Sequence, residues 1–257
     1  MPMELLPLVP PGGLKNSQAP WDSFDSRDYF EHNYRSLRED DRRILTAVRD
    51  HFGAHLGHNG GELRGLDVGA GTNLYPSLAM LPWCSRITLF ERAAGNVAWL
   101  REEVGRYGEN WDEFWQVLTE LPAYQGVADP RLRLAQAADV VQGDLFTELP
   151  QRVADLGTMF FVAESLSTEA EEFVSAVDIF AKALRPGAPF AVALMENSEG
   201  YEVGELVFPA YKIVTNDVVD CLRGHAADDL RVTRIEDGPK LRNGYTGMLL
   251  ALGRLRP

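Results

Sequence analysis

Cysteine is scarce. Cys84 and Cys221 are the two in 257 residues, too few for a disulfide framework or a cysteine-built zinc site. The expectation is a reducing, cytoplasmic setting. Basic residues are also short, with 25 Lys and Arg against 38 Asp and Glu, a formal charge of −13. A duplex-binding chain needs a basic stripe to neutralise phosphates, so this balance argues against nucleic acid as a partner. The same acidity suits a cationic substrate. No apolar run reaches the roughly 18 residues that suggest a membrane span, and no basic-then-apolar leader is seen. The five histidines show no metal spacing, and His51, His55 and His58 read as one wet helix end. What is present is an ordinary globular composition, 45% hydrophobic and 25% charged. The chain is long enough to bury its own core without staples.

Residues 1–20 carry Pro2, Pro7, Pro10, Pro11 and Pro20 and read as an extended arm. Helices are expected over Asp25–Tyr34, capped by Asp25 or Ser26, and over Asp40–Phe52, with Ile44, Leu45, Val48 and Phe52 on one face. From Glu62 the pattern changes to strands alternating with helices. Strands are expected at Leu63–Val68, Arg86–Phe90, Asp139–Gln142, Asp155–Val162, Ala188–Leu194, Leu230–Ile235 and Tyr245–Leu252. Helices are expected at Leu74–Leu81, Asn96–Arg106, Trp111–Leu121, Glu169–Leu184 and Asp217–Leu222. Trp111, Phe114 and Trp115 stand at helical spacing and read as packing residues. The alternation predicts an α/β fold with a mostly parallel, seven-stranded sheet covered by helices on both faces.

The chemistry gathers at strand ends. Gly65-Leu66-Asp67-Val68-Gly69-Ala70-Gly71-Thr72-Asn73 follows the first strand and opens a helix. Glycine there lets the backbone pass close to a ligand, in the crevice where nucleotide-like ligands bind open α/β sheets. A Gly-x-Gly alone is as readily a tight turn. Its context says more: the next strand ends in Glu91, placed to grip ribose hydroxyls, with Asn96 five residues on. The third ends in Gly143-Asp144-Leu145, where the acid can accept from an adenine amine. The third glycine of a dinucleotide fingerprint, which helps seat a pyrophosphate, is replaced by Leu74. S-adenosylmethionine has no pyrophosphate and fits the shorter pattern. Asp67 suits its cationic methionine end.

These residues resemble the nicotinamide, phenylethanolamine and indolethylamine N-methyltransferases, from about Trp21 to the end. The matching stretches begin with Phe24–Tyr34, which has two tyrosines. They continue through Asp67–Tyr75, Glu91–Asn96, Trp99-Leu100, Trp111–Trp115, Gly143–Leu145, Phe160–Ser165 and Tyr201–Glu205 with Phe208. The resemblance implies a Rossmann-like class I methyltransferase with an N-terminal helical lid. Residues 1–60 would be arm and lid, and 61–257 the methyltransferase domain, together one globular unit. Tyr29 and Tyr34 would close over the methionine end of the cofactor, lined also by Tyr75. Glu91 and Asn96 would hold the ribose, Asp144 and Leu145 the adenine, and Phe161 would complete the set. The product would be S-adenosylhomocysteine.

On the substrate side, methyl transfer from a sulfonium needs mainly positioning and exclusion of water. An ammonium acceptor must first lose a proton, for which Glu164 is the candidate base. Glu196 is a second acidic candidate, and Trp21, Tyr201 and Phe208 are candidate aromatic walls. Asn243 lies in Arg242-Asn243-Gly244-Tyr245, where some members of that family place an aspartate, a departure that bears on the substrate amine. The fourth-strand exit, Val162-Ala163-Glu164-Ser165, lacks the Pro-Pro-aromatic motif of nucleic-acid amino methyltransferases. The expected activity is methylation of a nitrogen in a small amine or N-heterocycle, by a monomer without metal, membrane or nucleic acid. O- or C-methylation of an aromatic metabolite, a non-catalytic cofactor-binding module and, more distantly, a nicotinamide-dependent oxidoreductase are the other readings.

Overall fold

The apolar runs Leu156–Phe160 and Pro189–Glu196 are buried at every position, as strands covered on both faces must be. They are β4 and β5 of a computed structural model that describes residues 13–57, 61–236 and 241–257. The others are β1 (Leu63–Val68), β2 (Cys84–Glu91), β3 (Ala138–Gln142), β6 (Tyr201–Val203), β7 (Leu206–Phe208), β8 (Arg231–Ile235) and β9 (Gly247–Arg254). Seven form one sheet in the order β3-β2-β1-β4-β5-β9-β8, and β6 pairs with β7 as a separate hairpin. The first five run parallel; β9 is antiparallel to β5 and to β8. After β3 the chain returns to the other side of β1. The order therefore reverses between β1 and β4, and a crevice opens at their carboxyl ends.

Strand alternation divides the core in two. Leu66 and Val68 of β1 pack with Phe173, Val177 and Phe180 of the helix Ala170–Ala183. On the other face, Ile87 and Leu89 of β2 join Ile44, Leu45, Val48 and Phe52 of the helix Glu39–Leu56. That helix covers the sheet. Of the two N-terminal helices, Ser26–Asn33 is the one that reaches the crevice, with Asp25 as its N-cap accepting from the Arg27 and Asp28 amides.

Several elements differ from expectation. The helix expected over Leu74–Leu81 is a single turn, Tyr75–Leu78, followed by turns. Residues 130–137 form a helix whose weakly periodic sequence, Pro-Arg-Leu-Arg-Leu-Ala-Gln-Ala, hid it; Asp129 caps it and Pro130 sits at its first position. His51 is buried, not wet. Its Nε2 lies 3.1 Å from the Gly253 carbonyl oxygen, and burial pulls its pKa down to about 4. His58 and the prolines up to Pro11 lie outside the described residues. Cys84 and Cys221 are free. Among the described residues no acid, histidine and cysteine cluster could hold a metal, and no helix is long and apolar enough to cross a membrane.

Candidate active site

A cleft of about 770 Å³, part of it open to solvent, lies at the β1–β4 crevice. Its floor is the glycine loop. Gly69 and Gly71 adopt φ of +64° and +56°, a left-handed region where side chains are strained. At Gly69 a Cβ would also meet Val162 Cγ2 at 2.5 Å. Phe161, at the exit of β4, holds φ +61° without being glycine and lines the cleft. Its amide is held by the Ala193 carbonyl at 2.6 Å. Backbone strain of this kind persists where the surroundings over-determine it, and it gathers at ligand sites.

The ribose candidates converge. Glu91 Oε2 accepts from the Gly71 amide at 2.8 Å, and Oε1 accepts from the Ala93 amide at 2.8 Å. Burial raises its pKa, while these backbone donors oppose the rise by stabilising the carboxylate. A carboxylate has roughly four acceptor positions, so further hydroxyls can still be bound. Asn96 lines the same wall, and its Oδ1 accepts from Ser26 Oγ at 2.7 Å, which ties the helix Ser26–Asn33 to the cleft. Thr72 Oγ1 and Asn73 Nδ2 are buried without a hydrogen-bond partner, beside the cleft both residues line. Orphaned polar atoms in a concave site fit a polar ligand end, because leaving them unpaired costs about 1–3 kcal/mol each. The residues present therefore fit a nucleoside cofactor with a charged amino-acid tail.

The opposite wall is aromatic. Tyr29, Tyr34, Trp21, Phe24 and Tyr201 line it. Phe208 stands behind, stacked on Tyr201 at 5.4 Å and within 5.2 Å of Trp21. The β6–β7 hairpin that carries Tyr201 and Phe208 is held to the helix Ser26–Asn33 by the Gly204 amide donating to Asp28 Oδ2 at 2.9 Å.

Seven candidate residues lie off the cleft wall. Asp67 points into the core, where Thr158 Oγ1 and Ser77 Oγ donate to it at 2.8 and 3.2 Å. Leu66 and Val68 face one side of β1, so alternation sends Asp67 to the other; burial pushes its pKa up to about 7. Tyr75 is fully buried, and its hydroxyl donates to Asp41. Asp144 caps the turn Leu145–Glu148 by accepting from the Phe146 amide; its neighbours Gly143 and Leu145 line the cleft instead. Glu196 is committed to Arg234 and Thr246, at 2.5 and 2.6 Å. Phe208 backs the aromatic wall, and Asn243 lines an adjoining cleft. Glu164 is fully buried one layer behind the wall, with Oε1 accepting from the Met195 amide and from Ser165 Oγ. Its Oε2 has no partner.

Sequence reasoning missed Ser165, Leu166, Phe24 and Asn16, all of which line the cleft. Asn16 belongs to the arm; its backbone and side-chain oxygens both accept from Trp21 Nε1 at 3.0 Å. Nothing periodic marks such residues. Ser165 was detectable only as the neighbour of Glu164.

The fold is shared with solved structures of low identity. A methyltransferase of Aquifex aeolicus described as SAM-dependent aligns at a TM-score of 0.52 and 15% identity, over 91% of this chain and 100% of the other. A Burkholderia thailandensis 1,6-didemethyltoxoflavin-N1-methyltransferase aligns at 0.50 and 15%, over 84% and 80%. The cyclase SpnF aligns at 0.53 and 15%, over 86% and 83%, so the fold alone does not fix the reaction. No curated protein matches in sequence. The sequence family does match, over residues 15–251: the chain belongs to the NNMT/PNMT/TEMT family of S-adenosylmethionine-dependent methyltransferases.

Proposed function

We propose that the chain methylates a nitrogen atom of a small amine or N-heterocycle. The observation that carries this reading is Ser165 on the cleft wall, hydrogen-bonded to the buried Glu164 behind it. When bound, S-adenosylmethionine supplies an electrophilic methyl carbon and a thioether leaving group. Glu91 and Asn96 would hold its ribose, Gly143 and Leu145 its adenine, and Thr72, Asn73, Tyr29 and Tyr34 its methionine end. The aromatic wall excludes water and offers flat apolar surfaces to the acceptor.

Ser165 Oγ donates to Glu164 Oε1 at 3.2 Å and accepts from Arg242 Nη1 at 2.8 Å. Its own proton is thus directed at Glu164, and its remaining lone pair can accept an acceptor N–H. A nitrogen that becomes more acidic on methylation passes its proton to Ser165 Oγ, while the hydroxyl proton passes to Glu164. Burial raises the pKa of Glu164, which makes its carboxylate a stronger base than an exposed one. Glu164 acts here through Ser165.

The test is a panel of amines, pyridines, indoles and phenols with carbon-13 methyl-labelled cofactor, the methylated atom being read by NMR. Nitrogen products are expected, and Ser165→Ala is expected to lower kcat about 10–100-fold. Products on oxygen or carbon alone would overturn the reading.

A further inference from the structure

Arg242 is not used by the fold in the manner of the chain's other deeply placed arginines. Arg38 meets Asp40 and Asp41, and Arg49 meets Asp50 and Glu120. Among the described residues, Arg242 has no carboxylate within ion-pair distance. Its guanidinium lies 4.1 Å from the centroid of the Tyr201 ring. Nη1 donates to Ser165 Oγ at 2.8 Å, and Nη2 to the Tyr29 hydroxyl at 3.3 Å. All three partners are neutral, and all three line the cofactor cleft. Glu164 is reached only through the Ser165 hydroxyl; burial raises its pKa and the Arg242 charge opposes that rise, but no direct ion pair forms. A half-buried cation held by neutral groups is an unfavourable arrangement until an anion joins it.

There is room for one. Arg242 also lines a second, wider cleft of about 1670 Å³ that opens to solvent, with Tyr29, His32, Asn33 and Tyr201, and with Glu202 and Glu236. Tyr29 and Tyr201 line both spaces, so the guanidinium stands at the partition between the cofactor cleft and an open approach to it. A guanidinium is planar and offers paired donors that match a carboxylate in bidentate fashion.

We infer that the acceptor carries a carboxylate, and that Arg242 binds it from the second cleft while the acceptor ring lies against Tyr29 and Tyr201. This rests on the methyl-transfer reading above and narrows it, from amines in general to anionic aromatic acceptors. It also runs against the acidity of the whole chain, which by itself suits a cation. The second cleft also carries Glu202 and Glu236, the latter paired with Arg234, but Arg242 is the charged group in contact with Tyr29, Tyr201 and Ser165, and at contact distance its charge outweighs solvent-screened ones.

Acceptor pairs that differ by the carboxylate alone, or by its conversion to the amide, test this. They are pyridine-3-carboxylate against pyridine-3-carboxamide, tryptophan against tryptamine, and phenylalanine against phenethylamine. Binding of each to the full chain saturated with S-adenosylhomocysteine is measured by calorimetry. In at least one pair the carboxylate member should bind tenfold tighter or more. Arg242→Met should remove that preference, and Arg242→Lys should keep part of it. Equal binding within every pair, a preference for the uncharged or cationic members, no binding of any carboxylate member, or a preference that survives Arg242→Met overturns the inference. The wild-type comparison needs no variant, so misfolding of Arg242→Met cannot mask the answer. The readout is binding, so a chain that binds carboxylates but methylates no nitrogen would sink the proposed function and leave this inference standing.

Discussion

The Gly71 amide donates to Glu91 Oε2 at 2.8 Å, fastening the glycine loop after β1 to the end of β2. Two sequence signals twenty residues apart are therefore one physical unit. The carboxylate shapes the loop and faces the cleft at the same time. Glu91→Ala should cost both roles. Cofactor affinity by titration calorimetry is expected to fall about 10–100-fold, the range of a lost charge-assisted hydrogen bond. Glu91→Gln, which keeps an acceptor, should lose less. Unchanged affinity in Glu91→Ala would remove Glu91 from the site.

Gly69 meets Val162 across the crevice. A Cβ added at Gly69 would sit 2.5 Å from Val162 Cγ2, at φ +64°. Gly69→Ala is expected to destabilise the fold by about 1–3 kcal/mol in urea unfolding. Val162→Ala in the same chain should restore the steric part and leave the backbone part. A double-mutant cycle without coupling would show that the loop yields at another point.

Asp67 should make stability depend on pH in an unusual direction. Burial raises its pKa to about 7 in the folded chain, against about 3.9 unfolded. The folded state thus holds the proton more tightly. Its advantage is complete below the unfolded value and is lost as pH rises through about 7. Asp67→Asn cannot ionise, so its stability relative to the wild type should improve between pH 5 and pH 7, by about 2 kcal/mol. Asp41, also raised to about 7, is common to both proteins and cancels. A difference that stays flat with pH would mean that Asp67 titrates normally.

The proton path predicts an activity profile. Glu164 accepts a proton only when ionised, and burial raises its pKa. The rate should therefore fall on the acid side at a pH above the ordinary carboxylate range. Glu164→Gln should lower kcat and flatten that limb while leaving cofactor affinity intact. A limb that persists in Glu164→Gln would assign it to another group.

Much of this was legible because strands and glycine loops write themselves locally. The apolar runs of β1, β4 and β5, the glycines after β1, and Glu91 at the end of β2 all stand where spacing put them. Trp111 and Phe114 are fully buried, as helical spacing required. What the sequence could not show is which way a polar side chain points once several elements meet. Asp67 lies beside the loop but on the inward face of β1. Tyr75 opens the next helix but turns toward Asp41. Asp144 spends its carboxylate on a cap. Asn16 and Arg242 are brought to Trp21 and Ser165 by packing, in the case of Arg242 across a long sequence separation, and their sequence context does not show where they point.

The β1–β4 crevice is where S-adenosylmethionine is expected to bind. The most direct measurement is calorimetric titration of S-adenosylhomocysteine into the wild-type chain and Glu91→Ala, with NAD as the control ligand. One-to-one binding to the wild type, at least tenfold weaker binding to Glu91→Ala, and no heat with NAD are expected. A folded wild-type chain that binds no S-adenosylhomocysteine, or binds it equally well without the Glu91 carboxylate, would contradict this assignment.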